Sequence, residues 1–244
     1  DERWMGRNSS GGVRWALKVP AGASPVISMD TASGELEVEG ITARYQFDTA
    51  SGDVTIRGGR VLDGSSFDTA SGELTLTDPR VGDDVSMDTA SGDVELTGVS
   101  AGAGFDFSTA SGDIRIEGCS GVLDGSTASG DVRVYESVLS GPSDFSSASG
   151  SVSVRLDGTI TRDLEASSAS GDVRLTAGSF PESFTLILIK REDRGRIDCP
   201  FAFTSEETFQ RGRTTYVRKV VKRGAGGPTI ELRTASGDLS IRGG

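Results

Sequence analysis

The twelve residues Phe47–Gly58, F-D-T-A-S-G-D-V-T-I-R-G, decide the fold of this chain. After the first glycine of this stretch, the apolar side chains of Val54 and Ile56 alternate with polar ones, the period-two pattern of a β-strand with one buried face. The central phrase T-A-S-G-D, or a close variant of it, occurs nine times along the 244 residues. Its glycines, called the corner glycines below, are Gly34, Gly52, Gly72, Gly92, Gly112, Gly130, Gly150, Gly171 and Gly237.

The spacing of the corner glycines predicts a solenoid. The first eight lie 18, 20, 20, 20, 18, 20 and 21 residues apart, and a fixed period near twenty residues is typical of stacked supersecondary units. The positions two and four places after the glycine are aliphatic in all nine repeats. A large apolar residue five places before it marks a second strand: Met29, Phe47, Phe67, Met87, Phe107 and Phe145. A third, looser apolar patch follows it: Ile41, Val61, Val81, Val99, Val122, Val138 and Ile160.

These strands predict an all-β fold, a single-stranded parallel β-helix (β-solenoid) of about nine coils with about twenty residues each. We expect a right-handed coil, because nearly all parallel β-crossovers are right-handed. The corner glycine is expected to adopt a positive φ in a sharp turn. By strand alternation, the threonine three places and the serine one place before it should point into the core, with the Asp and Ala of the phrase facing solvent.

We expect one continuous, elongated domain with specialised ends. The first residues lack the repeat and contain Trp4 and Trp15, and their stretch Val13–Val19 predicts a cap strand. The chain starts at Asp1 and has no run of 18 or more apolar residues, so we expect an extracytoplasmic protein without a membrane span. The four predicted parts are an N-terminal cap (1–27), regular coils (28–177), irregular C-terminal coils or a cap (178–230) and a final repeat strand (231–244).

Composition excludes several classes of function. The chain has no histidine, which removes Ser-His-Asp and Cys-His catalysis and most zinc sites, and it has neither a P-loop nor a dinucleotide-binding fingerprint. Residues 1–120 hold 20 Asp+Glu against 9 Lys+Arg, a net charge of −11, whereas residues 190–223 hold 10 Lys+Arg against 5 Asp+Glu, a net charge of +5. We therefore predict a non-enzymatic protein without a cofactor, electrically polar along its axis, that does not bind nucleic acid.

Four aspartates form the weak candidate for a metal site. They occupy the same outward position in successive coils, four places before the corner glycine: Asp30, Asp48, Asp68 and Asp88. Such a like-charge column is unfavourable unless water, salt or a cation screens it. Oxygen-rich columns suit Ca²⁺, although the glycine-rich nonapeptide of calcium-binding β-rolls is absent. The other interpretation is a solvated acidic face.

The two cysteines, Cys119 and Cys199, are a candidate disulfide. Cys119 falls in a regular coil and Cys199 in the irregular C-terminal part. In an oxidising compartment a bond between them would tie the cap to the rod.

The C-terminal part also contains the candidate partner-binding residues. It combines positive charge with aromatic side chains, the residue types enriched at interaction hot spots. The alternative is that the aromatic side chains plug the end of the rod while the arginines are merely solvated. The candidates are Phe201, Phe203, Arg211, Arg213 and Tyr216.

The repeated S-G-D-[VLI]-x-[VLI] phrase, the lead-in Pro20-Ala-Gly-Ala and the ending from Gly227 to Ile241 resemble a known family. They are similar to the bacterial β-strand-repeat domains of unknown function that are catalogued as adhesins. The resemblance covers residues 20–244 and implies an envelope-associated protein with no catalytic residues to carry over. We therefore expect an adhesin-like scaffold for an unknown protein or surface glycan. The alternatives are a glycan-active β-helix lyase or hydrolase, and a structural filament subunit that self-associates end to end.

Overall fold

The structure is a computed structural model that describes residues 17–243, and all of its regular elements are strands. The strands are β1 (Val26–Thr31), β2 (Leu36–Glu39), β3 (Thr42–Thr49), β4 (Val54–Arg57), β5 (Arg60–Val61), β6 (Ser66–Thr69), β7 (Leu74–Thr77), β8 (Arg80–Val81), β9 (Val85–Thr89), β10 (Val94–Thr97), β11 (Ser100–Ala101), β12 (Phe105–Thr109), β13 (Ile114–Glu117), β14 (Ser120–Gly121), β15 (Leu123–Thr127), β16 (Val132–Leu139), β17 (Ser143–Ser147), β18 (Val152–Thr159), β19 (Leu164–Ser168), β20 (Val173–Ser179), β21 (Phe184–Arg191), β22 (Ile197–Asp198), β23 (Ser205–Arg211), β24 (Thr214–Arg223), β25 (Thr229–Thr234) and β26 (Leu239–Arg242).

The strands form a parallel β-solenoid with three faces, as the repeat predicts. On the first face, Phe47 of β3 pairs in parallel with Phe67 of β6. On the second face β4 pairs with β7, and on the short third face β5 pairs with β8. Eight coils follow one another from β1 to β20, and we number them by their corner glycines, from coil 1 (Gly34) to coil 8 (Gly171).

One continuous apolar core fills the rod. The side chains two and four places after each corner glycine point inward, as do the large apolar residues of the first face: Phe47, Phe67, Met87, Phe107 and Phe145 are at most 1% exposed. In coil 6 the residue at this position is Gly125, and an added Cβ there would lie 2.3 Å from the Phe107 ring. Small residues thus make room for the rings of neighbouring coils.

The corner glycines do not have positive φ, so the turn explanation for them is wrong. The left-handed positions lie six places later, at Gly40, Gly58, Asp78, Gly98, Gly118 and Glu136. The corner glycine is required because successive coils approach closely there. An ideal Cβ on Gly52 would lie 1.6 Å from the carbonyl oxygen of Gly34, and one on Gly72 would lie 1.8 Å from that of Gly52. Any side chain would collide with the backbone of the coil below.

Two further expectations about the coil are wrong. The serine before the corner glycine, for example Ser51, is exposed, because the first-face strand ends at Thr49 and its alternation ends with it. On the third face, Val138 is 62% exposed, whereas Leu139 is 8% exposed and points inward. Val138 pairs in register with Ser120 and Leu139 with Gly121, so Val138 takes the outward position of the third face and Leu139 the inward one.

The C-terminal strands enter the stack out of chain order. On the first face β25 pairs in parallel with both β19 and β21, and on the second face β26 pairs with β20 and β22. The final T-A-S-G-D repeat is therefore coil 9, and β21 and β22 form coil 10 above it, with Gly195 over Gly237. Strand β24 then pairs antiparallel with β21, and β23 pairs antiparallel with β24.

The predicted N-terminal cap falls mostly outside the described residues. Trp4, Trp15 and most of the Val13–Val19 stretch belong to residues 1–16, and Leu17–Val19 contains no strand. The first described strand begins at Val26. Between residues 17 and 243 there is no helix that is long and apolar enough to cross a membrane.

Candidate binding groove

A long groove follows the T-A-S phrases along the rod. It is lined by the residues four, three and two places before the corner glycine in coils 2 to 9, from Asp48–Ala50 to Arg233–Ala235, and by Arg211 and Tyr216 of the terminal hairpin. Its volume is about 1150 Å³. Eight coils at a strand spacing of about 4.8 Å give it a length of about 34 Å. Its floor repeats the same small side chains at every step.

From coil 3 to coil 9 the threonine or serine three places before the corner glycine fixes the wall of the groove. Thr89 Oγ1 donates a hydrogen bond to the carbonyl oxygen of Gly72 at 3.1 Å and accepts one from the N–H of Gly92 at 3.0 Å. Thr69, Thr109, Thr127 and the serines and threonine of later coils repeat this pair of bonds: Ser147, Ser168 and Thr234. Every one of these buried hydroxyls is satisfied in both roles, which makes the corner a rigid edge.

The acidic residue after the corner glycine is structural. Asp93 Oδ1 accepts a hydrogen bond from the N–H of Asp113 at 2.7 Å, and Asp113 Oδ1 accepts one from the N–H of Asp131 at 2.8 Å. The hydrogen bond from the Asp131 N–H and the ion pair with Arg133 lower the pKa of Asp113. Wherever this residue is Asp, its carboxylate accepts a hydrogen bond from a backbone N–H of the neighbouring coil, so the D of the phrase ties one coil to the next.

The predicted aspartate column lines one end of the groove. Asp48, Asp68 and Asp88 pair in register across β3, β6 and β9. Burial raises the pKa of Asp68, and the neighbouring carboxylates of Asp88 and Asp48 raise it further. No group of three or more His, Cys, Asp or Glu residues in the described part of the chain is placed to hold a metal ion. The aspartates, Asp30 included, form a line along the sheet and not a cage.

The structure shows that a second acidic column continues along the rod at the neighbouring outward position, two residues earlier in each strand. From coil 5 onward the outward position six places before the corner glycine is acidic: Asp106, Asp124, Asp144, Glu165 and Glu231. Burial raises the pKa of Asp144 to about 6, with smaller contributions from Glu165 and Asp124. Sequence analysis missed this continuation because it followed only the position of Asp48; comparing each position across all repeats would have found it.

The opposite end of the groove is basic and aromatic. Tyr216 stacks on Phe209 across the hairpin, with ring centroids 5.7 Å apart, and Arg211 stands beside them in the groove wall. Arg233 occupies the outward column position of coil 9 and forms ion pairs with Glu231 and Glu165. The groove therefore runs from carboxylates, through a stretch of serines, to arginines.

The structure places the five partner-binding candidates in different surroundings. Arg211 and Tyr216 line the groove, whereas Arg213 lies exposed in the hairpin turn. Phe201 packs on Phe180 at 5.0 Å beneath the guanidinium of Arg223 at 4.6 Å, closing the apolar core at this end of the rod.

Phe203 remains 36% exposed, with the ammonium of Lys219 4.9 Å from its ring. Phe201 therefore has the capping role that the alternative interpretation assigned to it, and Phe203 forms part of the outer surface of this end.

The candidate disulfide does not form. Both cysteines are free thiols, because Cys119 belongs to coil 5 and Cys199 follows Gly195 in coil 10. Five coil spacings separate them by about 24 Å, whereas a disulfide requires Cα atoms within about 7 Å. Burial raises the pKa of both thiols.

Comparison with known proteins identifies a family that the chain matches. The sequence model described as Toastrack DUF4097 matches residues 16–185, well over half of the chain. No curated protein and no solved structure is significantly similar to it.

Proposed function

Because the chain belongs to the Toastrack DUF4097 family, a β-repeat family of unknown function, we propose that it is a non-enzymatic scaffold that presents its groove to an elongated partner. The groove is the observation that carries this proposal. It is continuous over eight coils and its floor is made of the same small side chains at each step. Such a surface fits a polymer with a regular repeat, either an extended polypeptide or a glycan strand, better than a small molecule.

The distribution of charge gives the partner a direction. Carboxylates line the groove in coils 2 to 4, and Arg233 of coil 9 and Arg211 of the hairpin line its other end. A bound chain therefore places its positive groups toward Asp48 and its negative or hydroxyl-rich groups toward Arg211. The Tyr216 ring, stacked on Phe209, offers an aromatic platform beside Arg211. Aromatic and arginine side chains contribute most of the binding energy at interfaces in general.

The arrangement of charged groups in the groove supports a binding role over catalysis. Hydrolysis or elimination on a glycan needs a local convergence of an acid and a base, whereas the aspartates of the groove form one in-register column in coils 2 to 4 and its arginines lie at the other end. The D of each phrase is engaged in hydrogen bonds between coils.

An extracytoplasmic location, at the cell envelope, is part of the proposal. It rests on the similarity of the repeated phrases to adhesin-like β-strand-repeat domains.

Filling the groove tests this function. Ala128 lies exposed on the groove floor near its middle, and Ala128→Trp places a large side chain across the path of any polymer. The immobilised full chain is incubated with a glycan array and with solubilised envelope fractions, and bound material is quantified. We expect Ala128→Trp to reduce capture at least about tenfold, the effect of about 1.4 kcal/mol.

Ala103→Trp is the matched control, because Ala103 is exposed in a turn away from the groove. Equal capture by the two tryptophan variants would show that the groove is not the binding surface. Release of products from a bound polysaccharide, abolished by mutation of groove carboxylates, would overturn the non-enzymatic assignment.

A further inference from the structure

Two strand edges of the first face have no partner among the described residues. Strand β1 pairs only with β3, and β23 pairs only with β24. They lie at opposite ends of the same sheet, β1 at the N-terminal end of the rod and β23 at the C-terminal end. Unpaired strand edges expose backbone groups that are able to pair with another chain.

The terminal hairpin restores the strand direction of the solenoid. An unbroken series of parallel pairings connects β1 to β21. Strand β24 is antiparallel to β21, and β23 is antiparallel to β24. Two reversals cancel, so β23 runs in the same direction as β1. A second copy stacked head to tail would meet β23 as a parallel neighbour.

The backbone groups at the two edges also match. Within the solenoid, the N–H of Arg44 donates to the carbonyl of Pro25, so outward residues bond to the preceding coil and inward residues to the following one. In β1 the outward residue Ser28 therefore directs its backbone groups to the edge that no described strand occupies. In β23 the two-residue turn after Arg211 makes Arg211 and Phe209 bond to β24, so Thr208 directs its backbone groups to the edge that no described strand occupies.

The ends are complementary in charge and in apolar surface. At the N-terminal end, residues 17–57 hold 6 Asp+Glu against 3 Lys+Arg, a net charge of −3, against +5 for residues 190–223. At the N-terminal end Ile27, Met29 and Leu36 are only partly buried, although their equivalents in the next coil are at most 1% exposed. At the other end Phe203 is 36% exposed.

We propose that β23 of one copy pairs in parallel with β1 of a second copy, so that the first sheet continues from molecule to molecule. The partner of both ends is thus a second copy of this chain, and the interaction is heterologous and open-ended. It uses the ends of the rod and leaves the groove of each copy facing solvent, independent of what the groove binds.

Proline at the two edges tests the pairing. Ser28→Pro and Thr208→Pro each remove one edge N–H and keep the bonds inside the molecule. Sedimentation velocity of the full chain over a wide concentration range should show a growing series of oligomers for the wild type, weakened by salt. Each proline variant should be monomeric, whereas Ser28→Ala and Thr208→Ala should assemble like the wild type.

Mixing the two proline variants gives the sharpest result. Ser28→Pro retains an intact β23 and Thr208→Pro retains an intact β1, so the mixture has one productive interface. We expect a heterodimer and nothing larger. Wild type that stays monomeric, a closed symmetric dimer, or assembly that survives either proline would each overturn the proposal.

A variant pair that leaves the backbone unchanged provides a second measurement. Glu35→Lys together with Glu39→Lys reverses two exposed charges at the N-terminal end and should weaken assembly about fivefold at low salt. Unchanged assembly by this double variant would contradict the charge complementarity on which the proposal depends.

Discussion

At the scale of single residues, the corner position requires glycine because neighbouring coils are in contact there, and not because of its own backbone conformation. Gly92 has an ordinary φ, yet an added Cβ would lie 1.8 Å from the carbonyl oxygen of Gly72. Gly58 is the opposite case: its φ is +62, and an added Cβ meets nothing within 4 Å. The two positions therefore require glycine for different reasons, close approach of the neighbouring coil at Gly92 and a left-handed backbone at Gly58. A sequence alone does not distinguish these reasons.

We expect Gly92→Ala to destabilise the protein by at least about 3 kcal/mol, because the coils must move apart. Gly58→Ala should cost only about 1–2 kcal/mol, the penalty of the left-handed region. Chemical denaturation of both variants checks the order. If Gly58→Ala proved the more destabilising, close approach of coils would not be the reason for the corner glycine.

The acidic face should make stability depend on pH. Burial raises the pKa of Asp144 from the ordinary 3.8 to about 6 in the folded chain. Between these values the folded state holds a proton that the unfolded state has released, so stability falls as pH rises through this window and then levels off. Asp68 and Asp124, whose pKa values are also raised, act in the same direction.

Asp144→Asn should therefore raise the melting temperature near neutral pH and flatten its dependence on pH between about 4 and 6. The N–H of residue 144, which donates to Asp124 Oδ1, is retained in this variant. Asp157→Asn removes an exposed carboxyl elsewhere and serves as the control. A steep pH dependence that persists in Asp144→Asn would mean that this carboxyl is not buried as described.

At the scale of elements, β25 and β26 hold the C-terminal part to the rod. Strand β25 separates β19 from β21 and bonds to both. Its inward side chains Ile230 and Leu232 are fully buried. In a solenoid each coil is stabilised mainly by its neighbours. Without this coil, β21 and β24 have no attachment to coil 8 on the first face.

A chain that ends at Pro228 should keep coils 1 to 8 and lose the order of residues 180–228. Hydrogen exchange followed by mass spectrometry should show native protection up to β19 and rapid exchange in β21 and β24. A chain that ends at Ile241 is the control, since it retains β25 and most of β26. Full protection of β21 in the shorter chain would show that coil 9 is dispensable.

At the scale of the whole molecule, the sequence predicted what depends on local periodicity. Alternation at Val54 and Ile56 and the aromatic column of Phe47 were enough to give the stacked parallel coils, since each strand buries one face. The φ of the corner glycine and the inserted final repeat were not predictable in the same way. Both depend on which coils are neighbours in space. The order of the strands in the sequence would place β21 beside β19, whereas β25 lies between them.

The groove was only half predictable for the same reason. The column of Asp48, Asp68 and Asp88 recurs at a fixed position and was found from the sequence. Its far end depends on the hairpin, which brings Arg211 and Tyr216 to the T-A-S edge, while Phe201 from the same segment turns into the core. No periodicity in residues 178–230 indicates which of these side chains goes where.

The place of the last repeat inside the stack also imposes an order in time. During synthesis, coils 1 to 8 emerge in the order in which they pack, so each has its support ready when it appears. Strand β21 emerges next, but the strand on which it rests, β25, is made only after β22, β23 and β24. Until then the top of coil 8 and the apolar side of β21 both lack their permanent neighbour. During that interval the unpaired edge of coil 8 and the apolar side of β21 are both accessible to a chaperone or to another nascent chain.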